Sequence, residues 1–329
     1  MKRLTIVSSF LLLGTYFLAA QEVQIIADVP GKSFRGLSIF KNTIWISGSQ
    51  GTVGRSEDGG TTWQWHTVTG FEKTDFRDIE VLDESTAVIM GIASPAYILK
   101  TTDRGKSWHK VYENNHPDIF LDAMAFKNKK EGIVIGDPID NKIFVAKTKD
   151  GGNTWQESNV LNLPPAQPGE AFFAASGTNI VWHKNKYYLV SGGNVSRLFV
   201  HDKMQLLPVA QGSVMRGANS IAIRDNHIWI AAGNYNDLKN QDSAFVYSND
   251  GGKSWHYPQT MPGGYRSCVC AINKNTLITC GITGVDISYD GGKNWQSVSP
   301  ISFNACAYSQ QENAVYLVGN NGKVGKLPL

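Results

Sequence analysis

The sequence predicts an all-β protein, a single seven-bladed β-propeller whose ring is closed by its own N-terminal strand. Three observations carry this reading. An eight-residue pattern returns five times along the 329 residues. The spacing of the returns is that of a blade repeat. Each period divides into four short runs of β-forming residues bounded by turn signals.

The returns are SEDGGTTW (56–63), TTDRGKSW (101–108), TKDGGNTW (148–155), SNDGGKSW (248–255) and SYDGGKNW (288–295). Their shared form is Ser/Thr-x-Asp-x-Gly-x-Ser/Thr/Asn-Trp. The aspartates lie 45, 47, 100 and 40 residues apart, so the long gap holds one degenerate copy, near SRLFVHDKMQLLP (196–208). The chemistry suits a hairpin turn. Asp58, Asp103, Asp150, Asp250 and Asp290 can accept hydrogen bonds from the N–H groups of their own loops. The recurring glycine permits a positive φ. Trp63, Trp108, Trp155, Trp255 and Trp295 start the next strand and bury a large area. These positions are read as structural, because an active site does not recur in every unit of a repeat. One carboxylate per loop is too few hard ligands for calcium, and no metal is expected.

The second period shows the anatomy of a unit: FRDIEVL, TAVIMGI, AYILKTTD, the turn, then WHKVY. Four antiparallel strands make a propeller blade. First strands are expected at FRGLSIF (34), FRDIEVL (76), FLDAMAF (120), FFAASGT (172), NSIAIRD (219), YRSCVCAI (265) and FNACAYS (303), which makes seven blades. The last unit stops after a third strand at NGKVGKL, and EVQIIADV (22–29) at the other end of the chain can supply the fourth. Closing the ring in this way removes exposed strand edges.

Composition agrees: 42% of residues are hydrophobic, 18% are charged and 33 are glycine. Lys2 and Arg3, the apolar run LTIVSSFLLLGTYFL and then Ala19 and Ala20 form the three-part pattern of an export signal. Residues 1–20 are therefore expected to be removed, leaving 21–329 as one propeller in the periplasm or outside the cell. Their loss lowers the net charge from +3 to +1. Such a balance offers no general attraction to nucleic acid. No later run is long and apolar enough for a membrane span. Cys268, Cys270, Cys280 and Cys306 lack metal-type spacing. They are read as buried free thiols, with a disulfide between neighbouring strands as the alternative.

The octamer is the Asp-box, or BNR repeat, known from sialidases and related propellers. Further stretches narrow the resemblance: GDPIDNKIFVAKTKDGGNTW, FFAASGTNI, SIAIRD, GGYRS and FNACAYS with VYLVGNNGKVGKL. Together they resemble exported bacterial propellers of the photosystem II stability/assembly factor family, over essentially the whole mature chain. The resemblance implies a binding or assembly platform without established catalysis. No GxGxxG after a strand, CxxC or haem motif is present, so no cofactor is expected. The partner expected is a protein, peptide or glycan with acidic groups, and the chain is expected to be a monomer.

Arg35, Arg77 and Arg266 follow an aromatic residue at the start of blades one, two and six, and Asn304 stands there in blade seven. These blades adjoin in a closed ring. The four residues, with Arg216 just upstream of blade five, are expected to form an arc at one channel mouth that receives carboxylates. The competing reading is local pairing, Arg77 with Asp78 for instance. A rival class is a sialidase-like glycoside hydrolase. FRGL at Arg35 resembles the FRIP motif of those enzymes without its Ile-Pro. Tyr265 activated by Glu170, with Asp78 as acid, would be its catalytic set. His66, His109 and His256 follow box tryptophans and are read as rim residues rather than metal ligands.

Overall fold

The computed structural model describes residues 22–157, 163–201 and 203–329. The expected signal segment, 1–20, lies outside the described residues. Seven antiparallel units follow one another along the chain. Blade one holds Phe34–Phe40, Thr43–Gly48, Thr52–Ser56 and Gln64–Thr67. Blade two holds Phe76–Val81, Ala87–Gly91, Ala96–Thr101 and His109–Asn114. Blade three begins at Leu121–Phe126, blade five at Arg216–Arg224 and blade six at Cys268–Ala271. Blade seven runs Ala305–Ser309, Ala314–Val318 and Lys323–Pro328.

The ring closes as the sequence predicts. The N-terminal strand Gln24–Asp28 pairs antiparallel with Lys323–Pro328 and forms the outer edge of blade seven. The first strands of successive blades touch in an unbroken cycle, the seventh returning to the first. Apolar side chains gather between blades rather than within them. Among the described residues there are seven core clusters, one at each interface between neighbouring blades. Each blade is thus a two-faced slab whose faces are buried only by its neighbours.

Blade four corrects one expectation. FFAASGT (172–178) is a connecting loop, and the blade begins at Ile180–His183. Its outer hairpin joins Arg197–Val200 to Lys203–Leu206, in the degenerate repeat copy. Two short strands just before and within blade four, Glu170–Ala171 and Gly192–Gly193, join the inner edge of blade five's sheet. The fourth strand of blade five is reduced to a bridge between Tyr247 and His256.

The boxes are local hydrogen-bond circuits. The Ser56 hydroxyl donates to Asp58 Oδ1 (2.8 Å) and accepts from Gly60 N (2.9 Å). Thr62 donates its amide to Asp58 Oδ1 (2.8 Å) and its hydroxyl to Oδ2 (2.6 Å). The same circuit runs through Thr101, Asp103 and Ser107, and through Thr148, Asp150 and Thr154. It runs again through Ser248, Asp250 and Ser254, and through Ser288, Asp290 and Asn294. These bonds hold the carboxyls of Asp58, Asp103 and Asp150 down at about 2. Each box carboxylate is hydrogen-bonded within its own turn. Gly60 has φ +87°, and a Cβ there would lie 2.6 Å from Ile26 of the closing strand, so the turn packs directly onto blade seven.

The box tryptophans sit at the interfaces. Trp155 meets Phe126 edge-on at 5.9 Å and joins a cluster with Val88 of blade two. Trp108 meets Trp45 of blade one, and Trp295 meets Phe245 of blade five. Trp63 packs in the cluster shared with Tyr316, and Trp255 in the one shared with Val200. The four cysteines are free thiols. Cys268, Cys280 and Cys306 are buried, and Cys268 and Cys280 are direct cross-strand neighbours.

Candidate functional site

The first strands of four blades share one irregularity. Pairing with the second strand skips a residue at Arg35, Arg77, Asp122 and Asn219. A bulge of this kind leaves one residue unpaired and re-aims its side chain. Here it falls each time where the strand enters the blade; at Arg35 and Arg77 the side chain reaches a shared cavity, whereas Asp122 and Asn219 stay buried.

Arg35 and Arg77 line the same cavity, of about 420 Å³, with Asp137, Tyr265, Ser267 and Asn304. Arg35 is half-buried and forms no ion pair among the described residues; its Nη1 donates to the Ala175 carbonyl at 3.3 Å. Burial and the proximity of Arg77 pull its guanidinium below the ordinary value. Arg77 lies over the Phe120 ring at 5.9 Å and donates Nε to Asp75 at 2.8 Å, with both side chains partly exposed. Its partner is therefore Asp75 rather than the expected Asp78.

Arg266 departs from the arc. Its side chain is buried on Asp286, with Nε 2.7 Å from Oδ2, and it also donates to the Tyr265 carbonyl and to Thr283. The cause is register. The amides of Phe34, Leu121, Arg266 and Phe303 each donate to a carbonyl at the end of the preceding blade's second strand. Arg266 thus occupies the position of Phe34, and Ser267 that of Arg35. A one-residue slip turns a side chain to the opposite face. Asn304 is in register with Arg35 but is buried, and donates to the Phe34 carbonyl (2.9 Å) and to Asn320 (3.1 Å). Arg216 opens the first strand of blade five, outside the cavity lining, with its Nε buried and unpartnered.

The glycosidase set does not assemble. Glu170 is buried against Arg197, with Nε 2.8 Å from Oε1, and also receives the Ser191 hydroxyl and the Gln167 amide. The Tyr265 hydroxyl points instead to Asn219 Oδ1 at 3.4 Å, and burial pushes it up to about 12. Asp78 accepts the amides of Ile79 (2.8 Å) and Met124 (2.6 Å), and burial raises it to about 8. Each carboxyl that the scheme needs is thus bound within the fold. His66, His109 and His256 are exposed.

Sequence reasoning missed Asp137 and the apolar wall. Asp137 accepts the Phe172 amide (2.8 Å), and burial raises its carboxyl to about 6. It sits in GDPIDN, a stretch quoted above only for resemblance. Asp122 is fully buried, and desolvation with the nearby Asp137 charge raises it far above the ordinary range. The Arg77 guanidinium opposes that shift. The wall comes from the loop at Phe172 and Phe173 and from Val214, Tyr235 and Ile282, none within a recurring motif.

Comparison with known proteins agrees with this architecture. The family model described as photosynthesis system II assembly factor YCF48 matches residues 33–117, and the BNR/Asp-box repeat model matches residues 246–257. No curated protein matches the chain. Among solved structures, YCF48 bound to D1 peptide superposes with a TM-score of 0.67 at 17% identity, covering 94% of this chain and 97% of that one. YCF48 from Cyanidioschyzon merolae gives 0.67 at 16% identity, covering 93% and 99%. The GH74 xyloglucanase from Xanthomonas campestris gives 0.62 at 14% identity, covering 93% of this chain but 53% of its own. At such identities the structures establish a shared fold. The chain is an Asp-box seven-bladed propeller that resembles the photosystem II assembly factor family.

Proposed function

We propose that this propeller is an exported, non-catalytic binding or assembly platform, and that its mouth cavity receives an acidic group of a protein or peptide partner through Arg35 and Arg77. One observation carries the reading. Arg35 stands half-buried in a cavity beside a second arginine and forms no ion pair among the described residues, while Asp75, which favours its charge, is paired directly with Arg77. A guanidinium in a recessed site binds a carboxylate more strongly than one in open water, because less solvent screens the pair. The family resemblance supports a peptide-binding use of the fold, since a YCF48 has been solved bound to a D1 peptide. Export rests on the pattern of residues 1–20, and N-terminal sequencing of the secreted chain tests it.

The binding test is charge reversal at Arg35 and Arg77 together. Affinity for an acidic peptide is expected to fall at least tenfold, while the melting temperature falls only modestly, because the Arg77–Asp75 pair that is lost is itself partly exposed. Raising the salt concentration is expected to weaken binding to the unaltered protein. Full affinity in a folded Arg35→Glu/Arg77→Glu variant refutes the assignment.

A further inference from the structure

The cavity has an apolar arm as well as a cationic one. Among the described residues eight large hydrophobic side chains are exposed, and three of them line this cavity: Val214 (51%), Tyr235 (39%) and Ile282 (37%). Single exposed apolar residues need no explanation, but a convergent group at a concave rim marks a contact surface. The three come from separate loops. Val214 precedes the first strand of blade five, Tyr235 follows its second strand, and Ile282 lies between two strands of blade six. In the same lining Phe173 meets Tyr235 edge-on at 6.1 Å, and Phe120 lies under Arg77. The volume, about 420 Å³, suits a few side chains rather than a folded domain. Asp137 in the same wall disfavours a run of carboxylates.

We propose that the ligand is a peptide segment in which one carboxylate-bearing residue adjoins a bulky apolar one, the carboxylate going to Arg35 and Arg77 and the apolar side chain to Val214, Tyr235 and Ile282. This rests on the reading of the cavity as an acidic-peptide site and adds the second determinant of its specificity.

Fluorescein-labelled Gly-Gly-Phe-Glu-Gly-Gly and Gly-Gly-Ala-Glu-Gly-Gly, titrated by fluorescence anisotropy, test it. The Phe-Glu peptide is expected to bind about tenfold more tightly, the size of effect from seating one apolar side chain. In the Val214→Ser/Tyr235→Ser/Ile282→Ser variant that preference is expected to vanish while the affinity of the Ala-Glu peptide stays the same. All three side chains are exposed, so the variant keeps its core. Equal affinity of the two peptides for the unaltered protein overturns the inference; if both are then lost in Arg35→Glu/Arg77→Glu, the acidic-peptide reading survives alone. Binding of both peptides that ignores the arginine change overturns the two together.

Discussion

Replacing Trp155 by alanine probes the joint between blades two and three. The indole is 8% exposed and lies in the cluster that includes Leu82, Val88, Met124 and Val134. An indole buries roughly 150–250 Å², and at about 25 cal/mol per Å² its removal costs about 4–6 kcal/mol. Loss of the edge-on contact with Phe126 adds roughly 1 kcal/mol. Against this, the Trp155 Nε1–H is buried without a hydrogen-bond partner, so truncation relieves a penalty of about 1–3 kcal/mol. The net expectation is about 2–6 kcal/mol, which brackets other large-to-small core changes. Trp155→Phe keeps a ring against Phe126 and removes the orphan N–H, so it is expected to cost less than about 1.5 kcal/mol. Urea unfolding followed by far-ultraviolet circular dichroism measures both, provided the transition stays single and the slope is unchanged. A loss below 1 kcal/mol for Trp155→Ala, or a phenylalanine variant as unstable as the alanine one, refutes the idea that box tryptophans seal the blade interfaces.

Other outcomes follow from the same structure. Deleting residues 22–28 strips blade seven of its outer strand and removes the buried Val23, so the melting temperature is expected to fall well beyond a normal terminal trim; an unchanged melt contradicts the closure. Box carboxyls held at about 2 in the fold, against about 3.9 in an unfolded chain, stabilise fully above pH 4 and lose that contribution as pH falls toward 2. Acid titration of the Asp150→Asn variant is expected to show a shallower decline than the parent, and identical curves count against the circuit. Asp137, at about 6, gains a proton between pH 7 and pH 5 and leaves the cavity more positive, while a peptide glutamate stays ionised. Acidic-peptide affinity is therefore expected to rise severalfold over that interval and to lose this dependence in Asp137→Asn; a parent whose affinity falls instead reverses the sign of the argument.

The boxes were legible because each one is chemically self-contained. Ser56, Asp58, Gly60, Thr62 and Trp63 meet within eight residues, so spacing alone reveals the turn. The closing strand was legible because the last repeat lacked one strand and the other terminus offered it. Blade four was misplaced because it has no intact box to set the phase, and the apolar run at 172–178 imitates a strand. Arg266 was misread for a related reason: an aromatic–arginine pair looked like Phe34–Arg35, yet the amide bonds place it one position earlier.

What the sequence determined by itself is the period, the number of blades, the turn chemistry and the closure. All of these depend on contacts within one repeat or on pairing that a regular repeat forces. Tertiary structure alone decided which side chains share the mouth. Arg35, Arg77, Asp137, Tyr235 and Ile282 come from blades one, two, three, five and six. Their meeting depends on two bulges, at Arg35 and Arg77, and on loops that vary from blade to blade. The repeat is a local rule and the cavity is a sum of its local exceptions, so no single stretch of sequence carries the site.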